Sequence, residues 1–178
     1  MKRVLVPLAP GFEEIEAITI IDILRRAGID VTVAGTQPGI IEASRQTKHV
    51  ADCTLDEVRG EDFDMLVLPG GLPGTTHLRN DPRIQRLVTT IPLVAAICAG
   101  PTVLSDAGLL MGRTATSHPS VRAELKAGQI SDDRVVVDGP IITSQSAGTA
   151  MEFAFKLVEI LCGPAKVAEV NRGVLARL

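Results

Sequence analysis

A single cysteine stands where an apolar run gives way to small residues and a proline. The segment is VAAICAGP at residues 94–101, and it predicts a strand, a turn that carries Cys98, and a helix. In such an elbow the side chain projects at the carboxyl end of a sheet, and the helix N-terminus behind it favours negative charge. A thiol in that position tends to ionise, and the thiolate is the reactive form. We interpret Cys98 as a candidate nucleophile, with a buried structural cysteine as the alternative.

The other cysteines and the histidines do not form a metal-binding pattern. Cys53 and Cys162 lie far from Cys98 and from each other, and both are interpreted as structural. No metal-ligand spacing joins the three cysteines to the three histidines, so no metal is predicted. Three widely spaced cysteines suit a reducing cytoplasm, which is the predicted location.

Acidic residues open the first predicted helix, in the segment GFEEIE at residues 11–16. Carboxylates in a first turn stabilise the helix dipole by less than about 1 kcal/mol each, which accounts for Glu13 and Glu14. Glu16 shares a helix face with Ile20 and Ile23 and is the candidate for pointing inward, although Glu13 has similar neighbours. A carboxyl group beside a thiol can shuttle protons if its environment keeps it partly protonated.

Two further segments place polar or backbone groups at predicted strand ends. Gly70 and Gly71 end a strand, either as a plain tight turn or as a source of backbone N–H groups for an oxyanion hole. Their spacing does not match a dinucleotide or phosphate loop. His118 lies 20 residues after Cys98, and it is a candidate for proton transfer, with an ordinary surface histidine as the alternative.

Composition narrows the class of protein. The chain has 178 residues, 46% of them hydrophobic, and a net charge of −3, which predicts one globular domain. A mildly acidic chain without Trp or Tyr lacks the basic surface and aromatic platforms of a nucleic-acid binder. The apolar stretch at the N-terminus is too short for a signal peptide, and no run approaches a membrane span.

Strand and helix patterns alternate along the chain, and this alternation predicts an α/β fold with a mainly parallel sheet. In such sheets the functional site lies outside the carboxyl ends of the strands, where Cys98 and the Gly70–Gly71 turn would meet. Residues 134–143 predict a hairpin around Asp-Gly. Predicted strands cover residues 3–9, 30–35, 63–68 and 93–97, with two short strands in 39–52, and predicted helices cover 14–27, 82–90, 100–110 and 148–161.

Taken together, these segments resemble the DJ-one (ThiJ/PfpI) family. The matching segments are GFEEIE at 11–16, RRAGI at 25–29, VTVAG at 31–35, LPGG at 68–71, AAICAGP at 95–101, HP at 118–119 and GT at 148–149. The resemblance implies one flavodoxin-like three-layer domain over residues 1–178, usually a homodimer, that needs no cofactor. It also implies that Glu16, Cys98 and His118 are the site residues, and that the Gly71 and Ala99 backbones border the nucleophile.

The chain departs from the family pattern at two positions. Protease-like members carry a histidine directly after the cysteine, where this chain has Ala99, and this disfavours an amidase or peptidase. Close relatives carry an arginine where this chain has Gln145, so one positive charge is missing from the expected site. Arg45 matches another cationic position of that site and is expected to compensate in part.

The resemblance implies two functions of different classes. The first is a cofactor-independent glyoxalase that converts methylglyoxal to lactate, with deglycation of early glycated proteins or nucleotides as a related activity. The second is an oxidative-stress sensor or redox-regulated chaperone in which Cys98 is oxidised. Both need a reactive Cys98 beside Glu16, so the sequence does not separate them.

Overall fold

The computed structural model describes residues 1–178, and a seven-stranded sheet forms its centre in the order β10-β11-β7-β6-β1-β2-β5. All neighbouring pairs are parallel except β10 and β11, which form an antiparallel hairpin at one edge. The strands are Arg3–Leu8 (β1), Asp30–Gly35 (β2), Ile40–Glu42 (β3), Lys48–Val50 (β4), Cys53–Thr54 (β5), Met65–Leu68 (β6), Leu93–Ile97 (β7), Thr114–Ala115 (β8), Gln129–Ile130 (β9), Val135–Asp138 (β10) and Ile141–Ser144 (β11).

Helices cover both faces of this sheet and create two apolar cores. One core contains apolar residues of α1, α5 and α6, and the other contains those of α2, α3 and α4. None of the helices combines the length and the apolar composition of a membrane span. The helices are Glu14–Arg26 (α1), Gly74–Asn80 (α2), Pro82–Thr90 (α3), Pro101–Asp106 (α4), Ala150–Cys162 (α5) and Pro164–Val174 (α6).

Strand β1 shows why the central strands are apolar throughout. Val4 and Val6 belong to the α1 core, whereas Leu5 between them belongs to the opposite core. Successive side chains of a strand point to opposite faces, so a strand covered by helices on both sides has no solvent face. The continuous apolar run in the sequence is the consequence of this double burial.

The predicted α/β fold with a mainly parallel sheet is confirmed, and so is the hairpin around Asp-Gly. The structure differs from the sequence-based predictions in three respects. The helix expected at 100–110 ends at Asp106, because Gly108 adopts a φ of 75° that stops it. Helix α2 was not predicted, because its seven residues, GTTHLRN, show no clear apolar periodicity. Strands β5, β8 and β9 were also missed, and each is only two residues long.

Candidate active site

Cys98 occupies a strained turn directly after β7. Its φ is 65°, a left-handed conformation that is uncommon for a residue with a side chain. The turn is held by the Cys98 N–H, which donates to the Ser144 carbonyl at 3.1 Å, and by the Gly100 N–H, which donates to the Ile97 carbonyl at 2.8 Å. This backbone presents the thiol at the carboxyl edge of the sheet, as the elbow pattern predicted.

Glu16 is the buried carboxyl group of the site. Its exposed fraction is 0%, and its Oε2 accepts the Gly70 N–H at 2.8 Å. The other oxygen, Oε1, is buried without a hydrogen-bond partner, so it has no donor that would favour the ionised form of the carboxyl group. Of the three glutamates that open α1, the fold therefore buries the one that the resemblance selected.

Burial also sets the protonation of Glu16. Loss of solvent raises its pKa from 4.5 to about 7, against lowering contributions from the Cys98 thiol and the Gly70 N–H. A carboxyl group that titrates near neutral pH both donates and accepts a proton under physiological conditions. This is the property that general acid–base catalysis requires.

The pKa of the Cys98 thiol moves opposite to the sequence-based expectation. Burial and the charge of Glu16 raise it from 9.0 to about 12, while the Ala99 and Gly71 N–H groups lower it. The expected helix is too short for a strong dipole, since α4 spans only six residues. When Glu16 carries its proton, the repulsion of the thiolate disappears. The pair loses the first of its two protons near pH 7, and the thiol and the carboxyl group then share the remaining one.

Gly70 is packed between the side chains of Glu16 and Cys98. A Cβ atom at Gly70 would lie 2.7 Å from Glu16 Oε2, 3.0 Å from Cys98 Sγ and 2.6 Å from Cys98 Cβ. The Gly70 N–H is occupied by Glu16, so it holds the carboxyl group and does not serve a reacting oxygen. The Gly71 and Ala99 N–H groups lower the pKa of the Cys98 thiol, and both residues line the cleft.

His118 borders the same cleft. Its backbone N–H donates to the Cys98 carbonyl at 2.9 Å, which ties this segment to the elbow. Its Nδ1 accepts the Ser120 N–H at 3.2 Å and lies 2.7 Å from Ser120 Oγ. An Nδ1 that accepts leaves the proton of a neutral ring on Nε2, so the imidazole is arranged as a hydrogen-bond donor.

The cleft above Cys98 encloses about 340 Å³, and six of the seven predicted site residues line it. Glu16, Gly71, Cys98, Ala99 and His118 line it together with the exposed Arg45. Gln145 does not line it, because its Nε2 donates to the Asp132 carbonyl at 2.7 Å. Arg45 is therefore the cation at this mouth.

Sequence reasoning missed several polar groups of the cleft. Ser44, Ser120 and Ser146 line it, and serines at loop positions give no periodic signal. Glu13 also lines it while its Oε2 caps α1 by accepting the Glu16 N–H at 2.8 Å. The spacing of Glu13 before the helix is an N-cap signal, although glutamate is not among the preferred N-cap residues.

A second, larger cavity of about 500 Å³ lies on another part of the surface, near His77 and Arg83. It contains no cysteine, and Arg83 is already bound to Asp81, Asp56 and the Thr36 carbonyl. No group of three or more His, Cys, Asp or Glu side chains is arranged to hold a metal ion. The candidate site is therefore the smaller cleft at Cys98.

A strained cysteine elbow beside a fully buried glutamate, on a mainly parallel sheet, defines an α/β protein with a cysteine–carboxyl site. The sequence model of the DJ-1/PfpI family matches residues 2–160, and the chain belongs to this family.

Individual relatives cover nearly the whole chain. Protein dj-1beta of Drosophila melanogaster is 44% identical over 98% of this chain and 97% of its own length. The glutathione-independent glyoxalase DJR-1.2 of Caenorhabditis elegans is 40% identical over 93% of this chain and 91% of its own length.

Solved structures agree with the fold. The crystal structure of Drosophila melanogaster DJ-1beta superposes with a TM-score of 0.95 at 43% identity, covering 99% of each chain. The structure of oxidized Toxoplasma gondii DJ-1 superposes with a TM-score of 0.95 at 36% identity, covering 100% of each chain. The three-layer architecture is thus shared over its full length.

Proposed function

We propose that the protein is a glutathione-independent glyoxalase that converts methylglyoxal to lactate. The observation that carries this proposal is the placement of the fully buried Glu16 beside Cys98, with a pKa raised to about 7. Isomerisation of a 2-oxoaldehyde needs a nucleophile that holds the aldehyde carbon and a base that moves a proton between neighbouring carbons. The named function of the Caenorhabditis elegans relative supports the same chemistry.

The reaction begins with addition of sulfur to the aldehyde. The Cys98 proton passes to Glu16, the thiolate attacks the aldehyde carbon, and the oxygen takes the proton back to give a hemithioacetal. The Gly71 and Ala99 N–H groups face the sulfur region and stabilise the negative charge that develops there. Covalent addition divides one difficult rearrangement into easier steps.

Glu16 then moves a proton from the sulfur-bearing carbon to the adjacent carbonyl carbon. The bond to hydrogen breaks at the first carbon, an enediol forms, and protonation of the second carbon gives a thioester of lactate. We assign to His118 the donation of its Nε2 proton to a substrate oxygen, and its Nδ1 contact with Ser120 and its position in the cleft support this role. Water attacks the thioester, lactate leaves, and the sulfur regains its proton. The net reaction is methylglyoxal plus water giving lactic acid.

The proposal is tested with purified protein and methylglyoxal in the absence of glutathione and added metal. We expect lactate to form in proportion to enzyme, and a lactoyl thioester on Cys98 to be trapped by rapid acid quench and detected by mass spectrometry. Failure to form lactate, or full turnover in a Cys98→Ser variant, would reject the proposal. We propose deglycation of early glycated amines as an extension of this chemistry. The same lactate assay tests it when a glycated amine replaces methylglyoxal.

A second function, sensing of oxidants, is favoured by the donors around the sulfur. A sulfenic or sulfinic group on Cys98 would meet the N–H groups of Gly71 and Ala99 and a protonated Glu16. Toxoplasma gondii DJ-1 has a structure in an oxidized form. Mass spectrometry after titration with hydrogen peroxide tests this: oxidation at Cys98 before Cys53 and Cys162 supports a sensor, and oxidation elsewhere first rejects it.

Assembly and location complete the proposal. We infer a homodimer with α1 near its interface, because Ile15 and Ile18 of that helix are 57% and 40% exposed. We propose a cytoplasmic location, because all three cysteines are free. Exposed apolar side chains on one helix face are typical of a surface that is covered in an assembly. Light scattering at micromolar concentration tests the dimer, and only the 18.8 kDa monomer would contradict it.

A further inference from the structure

His118 is held by the short 3₁₀ helix that follows it, Pro119–Glu124. The residue occupies the N-cap position of this helix, and its ring nitrogen Nδ1 accepts the Ser120 N–H at 3.2 Å. The Ser120 hydroxyl lies 2.7 Å from the same nitrogen. Small side chains that carry an oxygen usually cap a helix in this way. Here an imidazole takes their place, and a single residue, Ser120, provides both groups that face Nδ1.

The backbone N–H of Ser120 fixes the direction of these contacts. Its hydrogen points at Nδ1, so a hydrogen on Nδ1 would clash with it, and Nδ1 must present its lone pair. The Ser120 hydroxyl can rotate, and it completes the arrangement as a second donor at a shorter distance. Because a neutral imidazole has one N–H and one lone pair, the ring proton of His118 lies on Nε2.

Nε2 is the free end of this ring. It forms no hydrogen bond within the protein, and His118 lines the cleft that contains Cys98. With Nδ1 occupied and Nε2 protonated, the ring can donate to a ligand but has no lone pair that could take the thiol proton. Removal of that proton then falls to Glu16, the carboxyl group that contacts the thiol.

The other two histidines lack this arrangement. The His49 ring has one hydrogen-bond partner, the Thr47 hydroxyl at 2.9 Å from Nε2. The His77 ring has none, and it lies in another cavity. No backbone N–H acts on either ring, so His118 is the one histidine whose tautomer is set by a donor of fixed direction.

We propose that Ser120 is a positioning residue that holds the His118 imidazole in its Nε2–H tautomer, and that His118 therefore serves the site only as a hydrogen-bond donor to an oxygen of the ligand on Cys98. The inference deepens the proposed function and rests on it for the identity of that ligand. It excludes a cysteine–histidine pair in which the imidazole takes the thiol proton.

Nuclear magnetic resonance of the imidazole nitrogens tests the tautomer directly. The chain has three histidines, so a nitrogen–proton correlation spectrum of labelled protein contains three rings, which are assigned by replacing each histidine in turn. At about pH 8, where free imidazole is neutral, we expect His118 to carry its proton on Nε2. In Ser120→Ala the two nitrogen shifts should approach each other as the tautomers mix, and Ser120→Thr, which keeps the hydroxyl, should restore them.

Two spectra would overturn the proposal. One is a wild-type His118 ring that carries its proton on Nδ1. The other is a Ser120→Ala ring whose nitrogen shifts equal those of wild type, because the Ser120 hydroxyl would then have no part in the choice of tautomer. Melting temperatures of both Ser120 variants confirm that the spectra come from folded protein.

Turnover of methylglyoxal tests whether the tautomer matters to the reaction. Ser120→Ala should lower kcat about threefold to tenfold, the range that one hydrogen bond supplies, with a smaller change in KM. Ser120→Thr should recover most of this loss. In a His118→Ala background, adding Ser120→Ala should lower kcat no further, because Ser120 acts through His118. A further loss of similar size in that background would contradict the positioning role.

Ser131→Ala is the matched control. The Ser131 hydroxyl makes the same kind of short-range contacts outside the cleft, since it donates to Asp133 Oδ2 at 2.8 Å and accepts the Asp133 N–H at 3.0 Å. Its His118 spectrum and its kcat should match those of wild type. If wild-type protein forms no lactate, the glyoxalase assignment fails, and the ring spectra decide on Ser120: mixing of tautomers in Ser120→Ala supports the positioning role, and no change overturns it.

Discussion

Two faces of the first turn of α1 carry the same residue type in opposite environments. Glu16 points into the protein, is fully buried and titrates near neutral pH, because burial disfavours its charge. Glu14 lies two residues earlier, about 200° around the helix, where three neighbouring residues donate to it and lower its pKa. One face carries a carboxyl group with a raised pKa, and the other carries one with a lowered pKa.

The difference shows that a carboxyl group acquires its role from its donors and its solvent, and not from its place in a motif. Glu16 accepts only one backbone N–H and leaves Oε1 unpaired. Glu14 has both oxygens engaged by Ser44, Arg45 and Thr47. A carboxylate that accepts several hydrogen bonds stays ionised to lower pH, whereas a buried carboxyl group with a free oxygen keeps its proton to higher pH.

Removal of the nucleophile gives the largest expected effect and isolates the buried face. Cys98→Ser should reduce methylglyoxal turnover by at least about 10³-fold, because an alcohol is a much weaker nucleophile than a thiolate. Lactate formation measures the loss, and circular dichroism checks the fold. Cys162→Ser, which changes an exposed cysteine outside the cleft, is the matched control and should keep wild-type turnover.

We expect the second-largest loss of turnover from Glu16→Gln, which removes the proposed proton carrier. Glu16→Gln keeps the size of the side chain but removes the transferable proton, so turnover should fall by at least about 10²-fold. Lactate formation and thermal melting are measured together, with Asp22→Asn as the control for loss of a carboxylate on the same helix. Wild-type turnover in a folded Glu16→Gln protein would falsify the shuttle role, and it would remove the contrast with Glu14.

The pH dependence of stability sharpens the comparison, because the two carboxyl groups act in opposite directions. Since folding raises the pKa of Glu16 from 4.5 to about 7, its protonated form stabilises the fold at low pH, and roughly 3 kcal/mol is lost as pH rises through this range. Glu14, with a lowered pKa, stabilises the fold above its unfolded value and loses this contribution as pH falls.

Urea unfolding of wild type, Glu16→Gln and Glu14→Gln between about pH 2.5 and 8 measures both contributions, because the Glu14 contribution is lost below about pH 4.5. Glu16→Gln should be less pH-sensitive than wild type between about pH 4.5 and 7. Glu14→Gln should lack the part of the wild-type free energy of unfolding that is gained as the pH rises to about 4.5. Parallel stability profiles for all three proteins would contradict the assignment of opposite environments.

The smallest expected effect tests the spacing between thiol and carboxyl group. Gly70→Ala would place a Cβ atom 2.6 Å from Cys98 Cβ and 2.7 Å from Glu16 Oε2, so these groups must move apart. We expect turnover to fall about tenfold and stability by about 1–3 kcal/mol. Gly173→Ala in α6, where an added Cβ meets nothing within 4 Å, is the control and should retain turnover. Equal turnover in both variants would show that the Gly70 contact is dispensable.

Sequence patterns were sufficient where burial and periodicity coincide. Strands β1 and β7 and helix α1 were predicted within one residue at each end, because their apolar residues follow the burial that the sheet imposes. Helix α2 was missed because its seven residues show no clear apolar periodicity. The two-residue strands were missed because they are defined by pairing with a distant strand and are too short to show alternation. The elbow at Cys98 was predicted, but the length of the following helix was not.

The sequence by itself determined the alternating α/β order, the cysteine at a strand end and the cluster of glutamates that opens α1. Apolar periodicity left open which glutamate meets the thiol, and the family resemblance selected Glu16. Only the tertiary structure gave the physical reason, because Glu13, Glu14 and Glu16 differ in solvent exposure and in the donors that reach them. Gly70 and Cys98 approach Glu16 across more than fifty residues of chain, and Ser44 and Thr47 approach Glu14 across about thirty. Their pKa values, and therefore their chemistry, are set by those long-range contacts and by the exclusion of water from one side of the helix.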